Sequence, residues 1–258
     1  MRFSSLGSGS EGNGLLIESQ DGVRAARLMI DCGFGLREAR QRLQSAGIEP
    51  GQIDAILVTH EHGDHLGGVF RLAAAHDIPV FMTHGTRVAA GAVPDSVRIQ
   101  EILPDLTIEV GGLSVTPVAV PHDAREPVQY VIDDGRLKLG VLTDIGHGTP
   151  HVLRAYSGLD ALVLECNHDQ GLLAGNPRYP ESLKRRIGGP YGHLANSAAA
   201  QILAGLDRSR LRVVVAAHLS QKNNTESLAR EALVSVLECE PDAVTVAGQE
   251  NGFAWMTV

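Results

Sequence analysis

The chain has 258 residues, 43% of them hydrophobic, and a formal net charge of −8, so it can bury a substantial core. The acidic balance argues against an extended basic surface that grips nucleic acid nonspecifically, while leaving room for a local basic patch. No apolar run approaches a membrane span, and the segment MRFSSLGSGSEGN has no apolar stretch of the secretory kind, so no membrane partner is expected. The three cysteines, Cys32, Cys166 and Cys239, are an odd set without close spacing, which points to a reducing cytoplasm rather than a disulfide framework.

In chain order, LLIE and RLMID read as opening strands joined near Asp21-Gly22. Residues 35–46 place Leu36, Ala39, Leu43 and Ala46 on one helical face, and Gly47 stops the helix. IDAILVT (53–59) and PVFMT (79–83) read as buried strands. LTIEV and LSVTPVAV flank Gly111-Gly112, and VQYVID and LKLGVLT flank Asp134-Gly135, which are two hairpin signals. DALVLE (160–165), RVVVAA (212–217) and AVTVAG (243–248) are further buried strands. Residues 194–205 and 225–237 are helical, the second capped by Asn224 or Thr225. Hairpins mixed with helices in both halves predict an α/β fold, an αββα sandwich of two mixed β-sheets flanked by helices, as a single domain over 1–258.

The eleven histidines are not evenly spread. AILVTHEHGDHLGG ends a buried strand at Thr59 and then presents His60, His62, Asp64 and His65. Imidazole and carboxylate donors suit Zn²⁺ or Mn²⁺, with Fe²⁺ also possible. A surface loop has no other need for so dense a ligand set. Three later candidates follow one rule: a buried strand ends and a ligand-type side chain comes next, at His122, Asp144 and His218. Each alone is more often structural, but their shared placement favours a common site. Seven ligands exceed the need of one tetrahedral ion and suit two, roughly 3.5–4 Å apart, with one shared carboxylate.

THEHGDH resembles the HxHxDH signature of metallo-β-lactamase-fold hydrolases, with His122, Asp144 and His218 in the usual later order. The resemblance implies one metal site from His60, His62 and His122, a second from Asp64, His65 and His218, and Asp144 bridging them. LGSGSEGNG, PHDAREPVQY, LTDIG, LECNHD, YPESLKRRIGGPYGHLAN and AAHLSQKNN look like the YycJ/WalJ-like subgroup, whose members are associated with 5′-to-3′ exonuclease action on DNA. The expected activity is therefore phosphodiester cleavage by a two-metal-activated hydroxide, with DNA as substrate partner; the oligomeric state is left open. One departure is Ala195 in GHLAN, where the subgroup more often carries serine, so a phosphate contact by that hydroxyl would be missing. The substrate-gripping domain of larger nucleases in the superfamily has no room in this length.

Beyond the metals, Asp64 is expected to orient the nucleophile, as the resemblance suggests. His193 is the first candidate to protonate the leaving oxygen and His168 the second, against a structural role for each in bonding to backbone. Lys184, Arg185 and Arg186 form the one compact basic run, a candidate contact to a nucleic-acid backbone or simply a solvated helix face. Asn223, Ser10 and Asn13 are further candidate phosphate contacts, although GSGSEGNG lacks the ending of a nucleotide P-loop and serves equally as a plain turn. Cys166 reads as a buried apolar residue. Competing readings are a small-molecule or cyclic-nucleotide phosphodiesterase, which the acidic pI favours slightly, a lactone, thioester or β-lactam hydrolase, a one-iron sulfur dioxygenase, and a non-catalytic metal-stabilised interaction protein. The Asp64–His65–His218 set argues against the dioxygenase, and the number of strand-end ligands argues against the last.

Overall fold

The computed structural model describes residues 1–20 and 25–258; the Asp21-Gly22 turn lies outside the described residues. The first half of the chain supplies strands β1 (Arg2–Gly7), β2 (Gly14–Gln20), β3 (Ala25–Ile30), β4 (Ala55–Leu57), β5 (Val80–Thr83) and β6 (Ile99–Ile102). The second half supplies β7 (Ile108–Val110), β8 (Leu113–Ala119), β9 (Val128–Asp133), β10 (Lys138–Leu142), β11 (Ala161–Glu165), β12 (Val213–Ala217), β13 (Val244–Val246) and β14 (Phe253–Thr257). They form two seven-stranded sheets, in the orders β14-β1-β2-β3-β4-β5-β6 and β13-β12-β11-β10-β9-β8-β7. Each is mixed: β1, β2, β3 and β14 pair antiparallel while β3 to β6 run parallel, and β7 to β10 pair antiparallel while β10 to β13 run parallel.

Central strands such as β4, β5 and β11 are buried along their whole length because both faces are covered. In β3, Leu28 and Ile30 face the second sheet, while Met29 joins the helix-side cluster with Ala39 and Leu43. In β11, Ala161 and Val163 face the first sheet, while Leu162 and Leu164 pack outward with Ala199, Leu203 and Leu233. Helices α1 (Leu36–Ser45), α2 (Gly63–Leu66), α3 (Val69–His76) and α4 (His84–Ala89) accompany the first sheet in the sequence. Helices α5 (Pro150–Ala155), α6 (Gln170–Gly175), α7 (Glu181–Ile187), α8 (Asn196–Gly205) and α9 (Glu226–Leu237) accompany the second. The αββα sandwich expected from the hairpins is the observed architecture.

Both hairpins form as read. The helix at 35–46 buries Ala39 and Leu43 and ends before Gly47, whose φ of +74° is the left-handed conformation that glycine adopts without strain. The sequence reading missed β1, β6 and β14. β1 carries Ser4 and Ser5, polar residues that are buried because β2 and β14 pair on either side, with Ser4 Oγ donating to Phe253 O at 2.8 Å. The cap of α9 is Thr225, whose hydroxyl accepts from Leu228 N. Asn224 instead donates to Cys166 O (2.7 Å) and exchanges hydrogen bonds with Asn196, tying α8 to the end of β11.

Ala195 is the N-cap of α8, largely buried and without a side-chain capping bond. A serine at this position would be placed to cap the helix. Ala195→Ser is expected to raise unfolding stability by about 1 kcal/mol, read from the midpoint of urea denaturation. No gain, or a change in activity without one, would return the residue to the substrate.

Candidate metal centre

The ligand-type residues converge where strands of both sheets end. After β4, the chain turns into α2, so His60 and His62 precede the helix and Asp64 and His65 ride its single turn. His60 Nε2 lies 3.0 Å from His62 Nδ1, and His62 Nδ1 lies 3.4 Å from His122 Nε2. Asp64 Oδ2 is 3.5 Å from His65 Nε2 and 3.7 Å from His218 Nε2. Asp144 stands between the two sets, with Oδ2 3.2 Å from His65 Nε2 and Oδ1 3.5 Å from His218 Nε2 and 4.0 Å from His122 Nε2. Two groups, His60–His62–His122 and Asp64–His65–His218, thus each hold their donor atoms within 4.8 Å of one another, as do His60–His65–Asp144.

The donors fit divalent metal. Asp144 Oδ2 and His218 Nε2 are buried without a hydrogen-bond partner among the described residues, which is costly unless a cation occupies the space between them. Burial alone would raise the Asp144 carboxyl, but the charges of His218 and His65 hold it well below the usual carboxylate range. Burial likewise opposes protonation of His218, yet Asp144, Asp64 and Glu165 push it up to about 10. The enclosed carboxylates call for positive charge at this point in the fold.

The outer nitrogens of the imidazoles are fixed by protein groups, leaving the inner ones as metal donors. His65 Nδ1 meets Asp31 Oδ2 at 2.8 Å, and Asp31 also accepts from Thr59 N and Oγ1. His60 Nδ1 meets Thr59 Oγ1 at 2.9 Å, and His122 Nδ1 donates to Gly192 O at 3.0 Å. His218 Nδ1 meets Glu165 Oε1 at 3.2 Å, and Ser8 Oγ accepts from its backbone N–H. Asp31, Asp144 and His218 all carry left-handed φ angles of 59°, 50° and 56°. These conformations cost non-glycine residues about 1–3 kcal/mol each and turn the side chains off the strand ends into the site.

Glu165 and Asp31 were not foreseen as site residues. Glu165 closes β11 fully buried, accepts from Ile145 N and Leu194 N, and binds His193 Nδ1 at 2.8 Å. Its carboxyl, which burial would raise, is held down to about 2, chiefly by His193. His193 lines a cleft of about 320 Å³ with Ser10, Asp64, Asp123, Asp144, Arg186 and His218. Burial disfavours its charged form, but Glu165 raises its pKa above the ordinary histidine value.

The remaining sequence candidates divide. His168 is 2% exposed, is not among the residues lining the cleft, and pairs by backbone with Ala195, while its Nδ1 is buried without a hydrogen-bond partner among the described residues. Asn223 is 1% exposed, its amide engaged with Asn176 and Ser220, and does not reach the cleft. Asn13 Nδ2 lies 3.4 Å from Asp64 Oδ2 and 3.0 Å from His65 Nε2, which places it against the second ligand group. Lys184 turns back to Ala174 O and Glu181, and Arg185 Nε donates to Glu181 O. Of the three, Arg186 lines the cleft, its Nε 2.7 Å from Asp123 Oδ2. Cys166 is buried, and burial pushes its thiol pKa up, as suits an apolar filler.

The β-lactamase superfamily domain matches residues 26–219. The chain belongs to the metallo-β-lactamase superfamily and, within it, to the YycJ/WalJ-like subgroup. It is 34% identical over 242 residues to the exodeoxyribonuclease YycJ of Bacillus anthracis, covering 92% of this chain and 89% of that one. It is 30% identical to the exodeoxyribonuclease WalJ of Streptococcus pneumoniae, over 92% and 88% of the two chains. The crystal structure of the metallo-β-lactamase fold protein YhfI from Bacillus subtilis superposes with a TM-score of 0.75 at 17% identity, covering 99% of both chains. Family and donor set together make the protein a metal-dependent hydrolase.

Proposed function

We propose that the protein hydrolyses phosphodiester bonds and acts on DNA as a 5′-to-3′ exonuclease. The observation that carries this reading is the pair of neighbouring ligand groups with Asp144 standing between them, beside one cleft, in a chain that aligns over nearly its whole length with an exodeoxyribonuclease. Two ions, Zn²⁺ or Mn²⁺ with Fe²⁺ also accommodated by such donors, would be held by His60, His62 and His122 on one side and Asp64, His65 and His218 on the other, with Asp144 common to both. When bound, such ions make a hydroxide nucleophile available at neutral pH and neutralise charge on the phosphoryl oxygens.

The residues of the chain do the rest. Asp64 is kept ionised, because contacts with His218 and His65 outweigh the burial that would protonate it, and it orients the nucleophile. His193, tied to Glu165 through Nδ1, keeps its other nitrogen for the leaving oxygen, and the raised pKa favours the protonated form that donates there. Arg186 at the cleft lip meets a phosphate, and Asp123 positions it. The whole chain serves as one domain, since β14 returns to pair with β1 and completes the first sheet. Free cysteines and the lack, among the described residues, of any helix long and apolar enough to cross a membrane agree with work in the cytoplasm.

The cleft volume of about 320 Å³ is at the small end for ligand pockets, which suits one chain end and also favours, as a second reading, a small or cyclic phosphodiester. The test is digestion of linear DNA labelled at either end, with Mn²⁺ added and with chelator. The expected result is early release of a 5′ label, abolished by chelation. Hydrolysis of bis(p-nitrophenyl) phosphate with every DNA left intact would establish the second reading instead.

A further inference from the structure

The segment between β11 and α8 carries α6 and α7, the second of which borders the cleft of the metal centre, and it differs in character from the rest of this acidic chain. Within 170–192 it holds Arg178, Lys184, Arg185 and Arg186 against the single acid Glu181. Leu183, Arg186, Ile187 and Gly192 line the cleft, so the segment forms one of its walls. It also bears Tyr191, which is 60% exposed in a chain whose other described large aromatics are mostly buried.

Tyr191 is exposed on an immobilised backbone. The carbonyl before it, Pro190 O, receives His147 Nδ1 at 2.8 Å, and the carbonyl after it, Gly192 O, receives Nδ1 of the metal-site residue His122 at 3.0 Å. The next residue, His193, is bound to Glu165 and closed back by its N–H on Ile187 O at 2.7 Å. Gly146 packs so closely that a Cβ there would stand 2.1 Å from Pro190 O. The loop that presents Tyr191 is thereby clamped to the Asp144–His147 turn and to His122. No packing need of the fold explains a tyrosine left in solvent at the end of so much anchoring.

We infer that Tyr191 is a stacking platform for the terminal base of a single-stranded nucleic acid, with Arg186 and Arg185 of α7 meeting the adjoining phosphates. This rests on the nuclease reading above and names the form of its substrate. An exposed aromatic next to a cationic wall is the combination that holds single strands without reading sequence, since every base has a π-face and every nucleotide a phosphate. The rigid backbone sets the stacked base at a fixed distance from the metal ligands, so the first phosphodiester bond, rather than an internal one, enters the cleft.

The experiment compares Tyr191→Ala, Tyr191→Phe and the native protein on a single-stranded oligonucleotide and on the same strand with an abasic 5′-terminal nucleotide. Hydrolysis of bis(p-nitrophenyl) phosphate reports the metal centre, and gel filtration the oligomeric state. The native protein is expected to prefer the natural end by about 10-fold in kcat/KM, the scale of one base–aromatic stack. Tyr191→Ala should lose that preference and Tyr191→Phe keep it, all three hydrolysing the small ester equally. Equal preference in the native protein and Tyr191→Ala overturns the platform while leaving the nuclease reading intact. A change of oligomeric state in Tyr191→Ala overturns it too, assigning the side chain to a protein interface. Native protein that hydrolyses the small ester but no DNA overturns both.

Discussion

Asp64→Ala is expected to abolish phosphodiester hydrolysis, with a loss of at least about a thousand-fold, the scale on which a preorganised charge-stabilising group acts. The argument is one of charge and count. Asp64 is the carboxylate that the second ligand group does not share, its Oδ2 standing 3.5 Å from His65 Nε2 and 3.7 Å from His218 Nε2. Without it that group retains two imidazoles and a part share in Asp144, too few to hold a divalent ion tightly. On the proposed two-ion centre, metal analysis after dialysis should therefore fall from two ions per chain toward one, while circular dichroism stays unchanged because the side chain lies at the rim of the core. A variant that keeps both ions and activity within tenfold of native would remove Asp64 from the centre.

Glu165→Gln is expected to lower kcat by about 10- to 100-fold, the usual cost of losing a group that orients metal ligands. Glu165 touches two site histidines at once, His193 at 2.8 Å and His218 at 3.2 Å, and neither contact exposes it to substrate. It is a positioning residue, and the pH profile distinguishes its effect from simple damage. His193 must be protonated to donate, so activity is present below its pKa and lost as pH rises through it. The negative charge of Glu165 is what lifts that pKa against burial. Glutamine keeps the shape and removes the charge, so the alkaline limb of kcat should move to lower pH. An unshifted limb with a reduced kcat would show that His193 is not the proton donor.

Much of this is legible in the sequence. The metal-ligand set follows from one pattern, a buried strand ending at a donor, because apolar runs and imidazoles are both visible in one dimension. The same pattern also ends β3 at Asp31 and β11 at Glu165. Neither sits in a histidine-rich segment, and only the tertiary arrangement brings each against an imidazole. Substrate contacts were less legible. Asn223 and Lys184 are polar residues in suitable segments, but hydrogen bonds with Asn176, Ser220 and Ala174 use them to build the loops. Conversely, Tyr191 has no local signature, since its meaning depends on carbonyls two residues apart being caught by His147 and His122. β1 was invisible for a similar reason: serines in a strand make sense only between two partners.

The donor atoms hang from both sheets, His60 to His65 following β4 of one, and His122, Asp144 and His218 following β8, β10 and β12 of the other. Each of the two ligand groups draws on both sheets, so the distance between donors within a group is a caliper reading of how far apart the sheets stand. That gap is set by Phe3, Leu28, Val115, Tyr130 and Val163, none of which touches a reacting atom. A repacked interior that shifts one sheet by a fraction of an ångström leaves the protein folded but opens the jaws of the caliper. In this chain, tolerance to core variation is bounded by the span of a metal–ligand bond before it is bounded by unfolding.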